Sequence, residues 1–305
     1  MSIRKALLVG INDYADAPLR GCVNDVQQMQ ALLQRYYGFE TGEIKLLLDS
    51  AATGTGIKAG LEWLAAGGDD ADAVRVFHYS GHGSHVADQN GDEPDGRDEC
   101  LVPYDYKTGG MLIDDVLKGY YDRFPPLGNL TLVMDCCHSG TINRIVGETA
   151  FRFIPVSEAE QARIDAAAAS YLEQQDRFIL AGLAQLAHQL FGGALFAKQQ
   201  ELANEFRARR AGRVETRETN ILLAGCQNVQ TSADAFIRKA FHGAFTYYLA
   251  EAVAEANGPL TYRDLADRAA AKLGAEGYDQ IPQLEFSGQR DQGPLFQSFS
   301  DLVAR

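Results

Sequence analysis

Short apolar runs punctuate this chain at residues 6–11, 43–48, 74–79, 130–134 and 220–224, each closed by turn or polar residues. Runs of that length between such residues read as buried strands. Between them lie stretches at 24–37, 57–66, 111–121, 242–256 and 260–273, several with apolar residues at i, i+3 and i+4, the spacing of one helix face. Strands alternating with helices predict an α/β fold: a mostly parallel central sheet flanked by helices on both faces. Such sheets gather ligands and catalytic groups at the carboxyl ends of their strands. The residues that follow the runs are therefore the ones to read. They are Ser80-Gly81-His82-Gly83, Asp135-Cys136-Cys137-His138-Ser139-Gly140, the loop reaching Leu19-Arg20-Gly21-Cys22-Val23-Asn24-Asp25, and Gln230-Thr231-Ser232-Ala233-Asp234.

Residues 149–219 break the alternation. They are rich in Ala, Gln, Glu and Arg, contain no run that reads as a strand, and are predicted to form a helical insertion between 1–148 and 219–305, the two parts of one domain. Phe178 to Ala197 carries no formal charge and is long enough to span a bilayer. Gln185, His188, Gln189 and the Gly192-Gly193 pair favour instead an amphipathic helix or hairpin packed on the domain, without membrane contact.

Composition narrows the classes. With 305 residues, 46% hydrophobic and 23% charged, the chain has the makings of a packed core, which excludes disorder as its main state. Its 28 Lys and Arg against 41 Asp and Glu leave a net charge of −13, the wrong sign for wrapping a phosphate backbone, so nucleic acid is not an expected partner. The cysteines, Cys22, Cys100, Cys136, Cys137 and Cys226, form neither a disulfide ladder nor paired CxxC knuckles. Near the amino end the apolar run stops at Asn12 and Asp13, short of a signal-peptide core. A cytoplasmic protein with reduced thiols is the expectation.

A cysteine attacks only as thiolate, so a hydrolase built on one needs a base within reach and donors for the oxyanion. His82 after one strand and Cys136 or Cys137 after another supply nucleophile and base from two segments that converge at the sheet edge. Gly81, Gly83 and Gly140 let main-chain N–H groups approach a substrate carbonyl closely. A zinc site from His78, His82, His85, Cys136, Cys137 and His138 fits poorly, since the spacing matches neither a helical HExxH nor knuckle pairs.

These residues carry a resemblance. His78-Tyr79-Ser80-Gly81-His82-Gly83 followed by Asp135-Cys136-Cys137-His138-Ser139-Gly140 resembles the catalytic dyad of caspase-like cysteine peptidases, in particular the metacaspases and orthocaspases. The segments 19–26, 98–105, 230–234, 243–249 and 280–285 are similar to further blocks of that family, in its order. The resemblance implies a caspase-like fold, Cys137 as nucleophile, His82 as base, and the N–H groups of Gly83 and Cys137 as oxyanion donors. Cys136 departs from the commoner pattern of Ser or Ala, and because neighbours on an extended segment point opposite ways, only one thiol is expected to face His82.

The resemblance also implies cleavage after Arg or Lys of protein or peptide substrates, with an acidic pocket formed by Asp25, Asp135, Cys22 and Ser80. Carboxylates in a partly desolvated pocket favour a cation and repel an acidic side chain. Asp25 is equally placed to cap the amino end of a helix. No cofactor is implied for the chemistry. Calcium is a candidate activator, since Asp98, Asp114 and Asp115 fall where calcium-dependent members hold ligands. Self-cleavage is a further implication, and in 149–219 the basic residues crowd at Arg207, Arg209, Arg210, Arg213 and Arg217, just before Thr219-Asn220. The expectation is a stand-alone, monomeric endopeptidase, with a caspase-like pseudoenzyme acting as a binding module as the rival.

Overall fold

The computed structural model describes residues 3–67, 70, 72–87, 97–124, 129–136, 150–154, 213–215, 220–226, 232–286, 288 and 290–298. The predicted order of strand and helix is present. Strand β1 (Arg4–Gly10) leads to helix α1 (Cys22–Tyr37), β2 (Ile44–Leu48) to α2 (Gly54–Ala65), and β3 (Val74–Ser80) to a small sheet of β4 (Gly83–Ala87), β5 (Arg97–Leu101) and β6 (Leu112–Ile113). A short α3 (Tyr106–Gly109) precedes β6, and α4 (Asp114–Tyr121) follows it. Strand β7 (Asn129–Asp135) and the short β8 (Ala150–Phe151) come next, then β9 (Arg213–Glu215), β10 (Ile221–Ala224), β11 (Ala233–Ile237) and β12 (Ala240–Gly243). Helices α5 (Ala244–Glu255) and α6 (Tyr262–Ala275) and strand β13 (Gln283–Phe286) complete the described chain.

The central sheet runs β2-β1-β3-β7-β10-β13-β9. Pairings from β2 through β10 are parallel, and β13 lies antiparallel to β10. Every residue of β3 is buried, as expected where helices cover both faces of a parallel sheet. Side chains alternate between two cores: Ala6, Leu8, Val74 and Val76 join α1, α5 and α6 on one face, while Leu7, Val9, Phe77 and Tyr79 join α2 on the other. Helix α1 buries Cys22, Asp25, Val26, Met29, Leu32, Leu33 and Tyr37 along one side and stops at Gly38, whose φ of 69° is left-handed. Because β7 and β10 are neighbours, strands from both ends of the sequence share this sheet.

Several elements differ from expectation. The helix predicted from Met111 starts at Asp114 because Leu112 and Ile113 pair with β5, and the one predicted from His242 starts at Ala244 because 240–243 pair with β11. The stretch 149–219 does contain strands, β8 and β9 at its two ends, held by β11 and β13. Strands of two or three residues have too little pattern of their own; their partners fix them. The β11–β12 hairpin turns on Arg238 and Lys239 at φ 45° and 80°, a two-residue turn that needs left-handed residues but lacks the Asn-Gly signature that announces one. Residues 155–212, with the uncharged run at 178–197, lie outside the described residues. Among those described, no helix is long and apolar enough to cross a membrane.

Candidate active site

The site forms where β1, β3 and β7 end. Parallel register sets Gly10 beside Ser80 and Ser80 beside Asp135, so the loops after these strands meet. The side chain of Asn12 accepts hydrogen bonds from the Cys22 and Val23 N–H groups at 2.8 and 3.4 Å, which ties the amino end of α1 to the edge. That contact brings Asp25, in the first turn of α1, under the end of β3.

Asp25, Asp135, Cys22 and Ser80, predicted to line one pocket, are brought together, and all are fully buried. A third carboxylate, Asp234 of β11, joins them. The pocket is filled by the side chain of Arg152. Its Nη2 donates to Asp25 Oδ2 at 2.8 Å and to Asp234 Oδ1 at 2.9 Å. Its Nη1 donates to Ser80 Oγ at 2.6 Å and to the Asp135 carbonyl at 3.0 Å, with Asp135 Oδ1 3.4 Å away. Burial opposes the guanidinium charge, but the surrounding anionic groups outweigh it and hold the pKa well above the usual arginine value.

Neutral donors satisfy the carboxylates. Asp25 accepts from Gly243 N–H at 3.0 Å and Ser80 Oγ at 2.7 Å. Asp135 accepts from Ser232 Oγ and from the amide and hydroxyl of Thr246 at 2.9 and 2.7 Å. Asp234 accepts from the Arg20 and Gly21 N–H groups, both at 2.9 Å. Position 243 has room only for glycine, since a Cβ there would fall on Asp135 Oδ2 and Arg152 Nη1. Burial pushes the Cys22 thiol pKa far up, so Cys22 remains a protonated wall of the pocket.

His82 and Gly83 stand beside this pocket. His82 is 2% exposed, and its main chain is fixed by Tyr14 OH, which accepts its N–H at 3.1 Å, and Tyr79 OH, which donates to its carbonyl at 2.8 Å. Its Nε2 lies 2.6 Å from the carbonyl oxygen of Ala17. A carbonyl only accepts, so Nε2 carries the proton and Nδ1 keeps its lone pair. Nδ1 is buried and without a hydrogen-bond partner among the described residues. Burial lowers the His82 pKa to about 4, against the raising effect of the Ala17 bond, so the ring is neutral near pH 7 and able to accept a proton.

Arg152 also enters this part of the site through its backbone. Gly83 N–H, predicted as an oxyanion donor, donates to the Arg152 carbonyl at 2.9 Å. On the amino side of that arginine, β8 pairs antiparallel with β11, Ala150 opposite Asp234 and Phe151 opposite Ala233. The segment 150–154 thus lies across the site with its arginine in the acidic pocket and the arginine carbonyl on Gly83 N–H.

The other predicted residues divide. Cys136 is buried in the apolar cluster with Val102 and Met134, while Cys137 lies outside the described residues. Asp114 opens α4, and Asp98 lies on the neighbouring β5; the side chains of Asp98 and Asp115 are outside the description, and among described residues no group of three or more His, Cys, Asp or Glu is placed to hold a metal. Arg213 begins β9, paired with β13 in the central sheet, and Arg207, Arg209, Arg210 and Arg217 lie outside the described residues. The sequence assigns Asp234 no role of its own and does not set Arg152, one basic residue among many in 149–219, in the site. The available signal was Phe151-Arg152-Phe153-Ile154, one arginine set among apolar residues.

Residues 3–292 match the family described as "Caspase domain". Metacaspase-1A of Neurospora crassa is 32% identical over 96% of this chain and 64% of its own length. Metacaspase-1 of Pyricularia oryzae is 33% identical over 94% of this chain and 72% of its own. The chain thus spans about two-thirds of the length of these relatives. Among solved structures, a protein of Geobacter sulfurreducens has a TM-score of 0.62 at 23% identity, covering 97% of this chain and 99% of that one. Caspase-1 of Spodoptera frugiperda has a TM-score of 0.52 at 12% identity, covering 93% and 89%.

Proposed function

The chain belongs to the caspase-domain family, on its metacaspase branch, and from that premise we propose that it is a cysteine endopeptidase cutting peptide bonds after Arg or Lys. One observation carries the specificity: Arg152 in the pocket of Asp25, Asp135 and Asp234, with its carbonyl on Gly83 N–H. Three carboxylates around one guanidinium match a cationic side chain and would leave an acidic one repelled.

In this reading Cys137 Sγ attacks the carbonyl carbon of the basic residue itself, and its proton passes to His82 Nδ1. Negative charge gathers on the carbonyl oxygen, where Gly83 N–H stands. The C–N bond breaks as His82 returns the proton to the leaving amine. Water then attacks the thioester, again with His82 as base, freeing the acid and restoring the thiol. Burial of Cys136 in the apolar cluster supports its neighbour as the nucleophile.

The same observation relocates self-cleavage. The bond after Arg152 lies across the proposed machinery, whereas Arg213 is held in a strand of the central sheet, so the self-cut is proposed at Arg152–Phe153. Calcium bound by Asp98, Asp114 and Asp115 is a proposed activator and takes no part in making or breaking bonds; activity across added calcium and chelator tests it.

Peptide amides ending in Arg, Lys, Ala or Asp before a fluorogenic leaving group test the whole reading. Arg and Lys amides should be cut, Asp amides should not, and Cys137→Ala should be inactive. Mass spectrometry of the wild-type chain should find a new amino terminus at Phe153, absent in Cys137→Ala. Equal cleavage of Asp and Arg amides would refute the specificity, and a terminus between 208 and 218 would return the self-cut to the arginine cluster.

A further inference from the structure

Cleavage after arginine uses nothing beyond the Arg152 carbonyl, yet the residues that follow it are also held. Gly83 grips both sides of the Arg152–Phe153 bond: its N–H donates to the Arg152 carbonyl at 2.9 Å, and its carbonyl accepts from Ile154 N–H at 3.1 Å. Phe153 is thereby bridged in parallel to Gly83, on the side of β4 away from β5. Ser84 Oγ, fully buried, donates to the Ile154 carbonyl at 2.6 Å. The Phe153 ring stacks on His85, centroids 5.5 Å apart and planes inclined by 27°. Ile154 is 8% exposed, within the apolar cluster that holds Leu101, Val102 and Cys136.

These contacts have the form of an extended peptide added to the edge of a sheet, where main-chain bonds give affinity and alternate side chains give selectivity. We propose that β4 is a recognition surface for the two residues after the cut, His85 taking an aromatic first residue and the apolar cluster below Ser84 taking a large aliphatic second residue. The inference rests on the arginine-cleavage reading and deepens it: the enzyme reads both sides of the bond, charge before it and apolar surface after it. The bonds from the Gly83 main chain and the Ser84 hydroxyl to the peptide backbone would serve any sequence. Selectivity comes from the ring of His85 and the buried site of Ile154, because a smaller residue at either leaves apolar surface uncovered.

The test compares two peptides, Ala-Phe-Arg-Phe-Ile-Pro and Ala-Phe-Arg-Ala-Ala-Pro, capped at both ends and followed by mass spectrometry with the full wild-type chain. The chain's own 150–154 segment competes with both equally, so the ratio of their kcat/KM values is unaffected by it. The first peptide should be cut roughly tenfold faster or more, the scale of one well-buried apolar side chain. His85→Ala should slow the Arg-Phe peptide severalfold while leaving the Arg-Ala peptide and the fluorogenic arginine amide, which has no residue after the cut, unchanged. His85→Phe, which preserves a ring for stacking, should keep the preference, and should serve if His85→Ala lowers the melting temperature. Equal rates for the two peptides, with the amide still cut, would overturn this proposal and leave arginine cleavage standing. Failure to cut the amide as well as both peptides would overturn both.

Discussion

Asp25, Asp135 and Asp234 line a pocket in the protein interior because a guanidinium and neutral donors surround them, whereas His82, at the exit of the neighbouring strand, is buried among groups that keep it uncharged. The pocket gathers N–H and O–H groups from four separate elements around its carboxylates. The main chain of the histidine is held by two phenol hydroxyls and the Val102 N–H, and its ring Nε2 donates to the Ala17 carbonyl, so a carbonyl, and not a carboxylate, orients the ring. One sheet edge thus supplies two dielectric environments. One stabilises a buried cation; the other holds an imidazole without charge.

The comparison breaks most sharply at the histidine itself. His82→Ala should lower kcat by about 10³ or more, the scale of losing a general base, with Arg peptide binding little changed. A His82→Ala enzyme retaining a tenth of wild-type kcat would show that the base lies elsewhere.

A smaller effect should follow from the pocket. Asp25→Asn keeps the shape and removes one charge, which should cost about 2 kcal/mol or more of transition-state binding to arginine, roughly thirtyfold in kcat/KM. The acidic limb of the pH–rate profile should stay where it is if the two regions are electrically separate. A shifted limb would show that the pocket charges reach the base.

A third effect, on stability and not on rate, contrasts two histidines of one chain segment. His78, whose Nε2 lies 3.3 Å from Thr246 Oγ1, is fully buried, and burial lowers its pKa from 6.5 to about 4, with Asp25 and Asp135 pulling the other way. The unfolded chain therefore binds a proton at His78 before the folded one does. Stability from this source is level above pH 6.5 and falls between 6.5 and about 4, by about 1.4 kcal/mol per pH unit. Denaturant unfolding across that window, compared between wild type and His78→Gln, should show the shallower acid slope in the variant. Equal slopes would mean that His78 stays neutral in both states or charges in both.

Much of this was legible in the chain. The strands ending at Ser80 and Asp135 are legible as apolar runs, because strands buried on both faces are largely apolar, and His82 stands in the loop just after the first of them. The resemblance places Asp25, Ser80 and Asp135 in one pocket; the register of β3 with β7 sets Ser80 beside Asp135, and Ser80 Oγ donates to Asp25 Oδ2. Asp234 and Arg152 were not assigned there, since their roles depend on which short strand lies against which. Ala150–Phe151 has too few residues to show a period, and its pairing with β11 joins positions more than eighty apart. Strand β4, Gly83–Ala87, alternates weakly and begins with the glycine that the chemistry needs. The local pattern records how a segment is buried, and leaves unsaid what it is buried against.

Arg152 also bears on how long the folded chain lasts. Three interior carboxylates gathered around one cation form a set that tolerates the loss of any member badly, since an uncompensated buried charge costs about 3–5 kcal/mol. A form whose pocket has been vacated must admit water, take up a proton, or capture another cation. On the proposed reading, the chain with Arg152 in its pocket should melt at a higher temperature than a cut chain whose pocket has been vacated. Any small guanidinium compound that enters the vacated pocket acts as a conditional stabiliser, raising the melting temperature in proportion to the logarithm of its concentration.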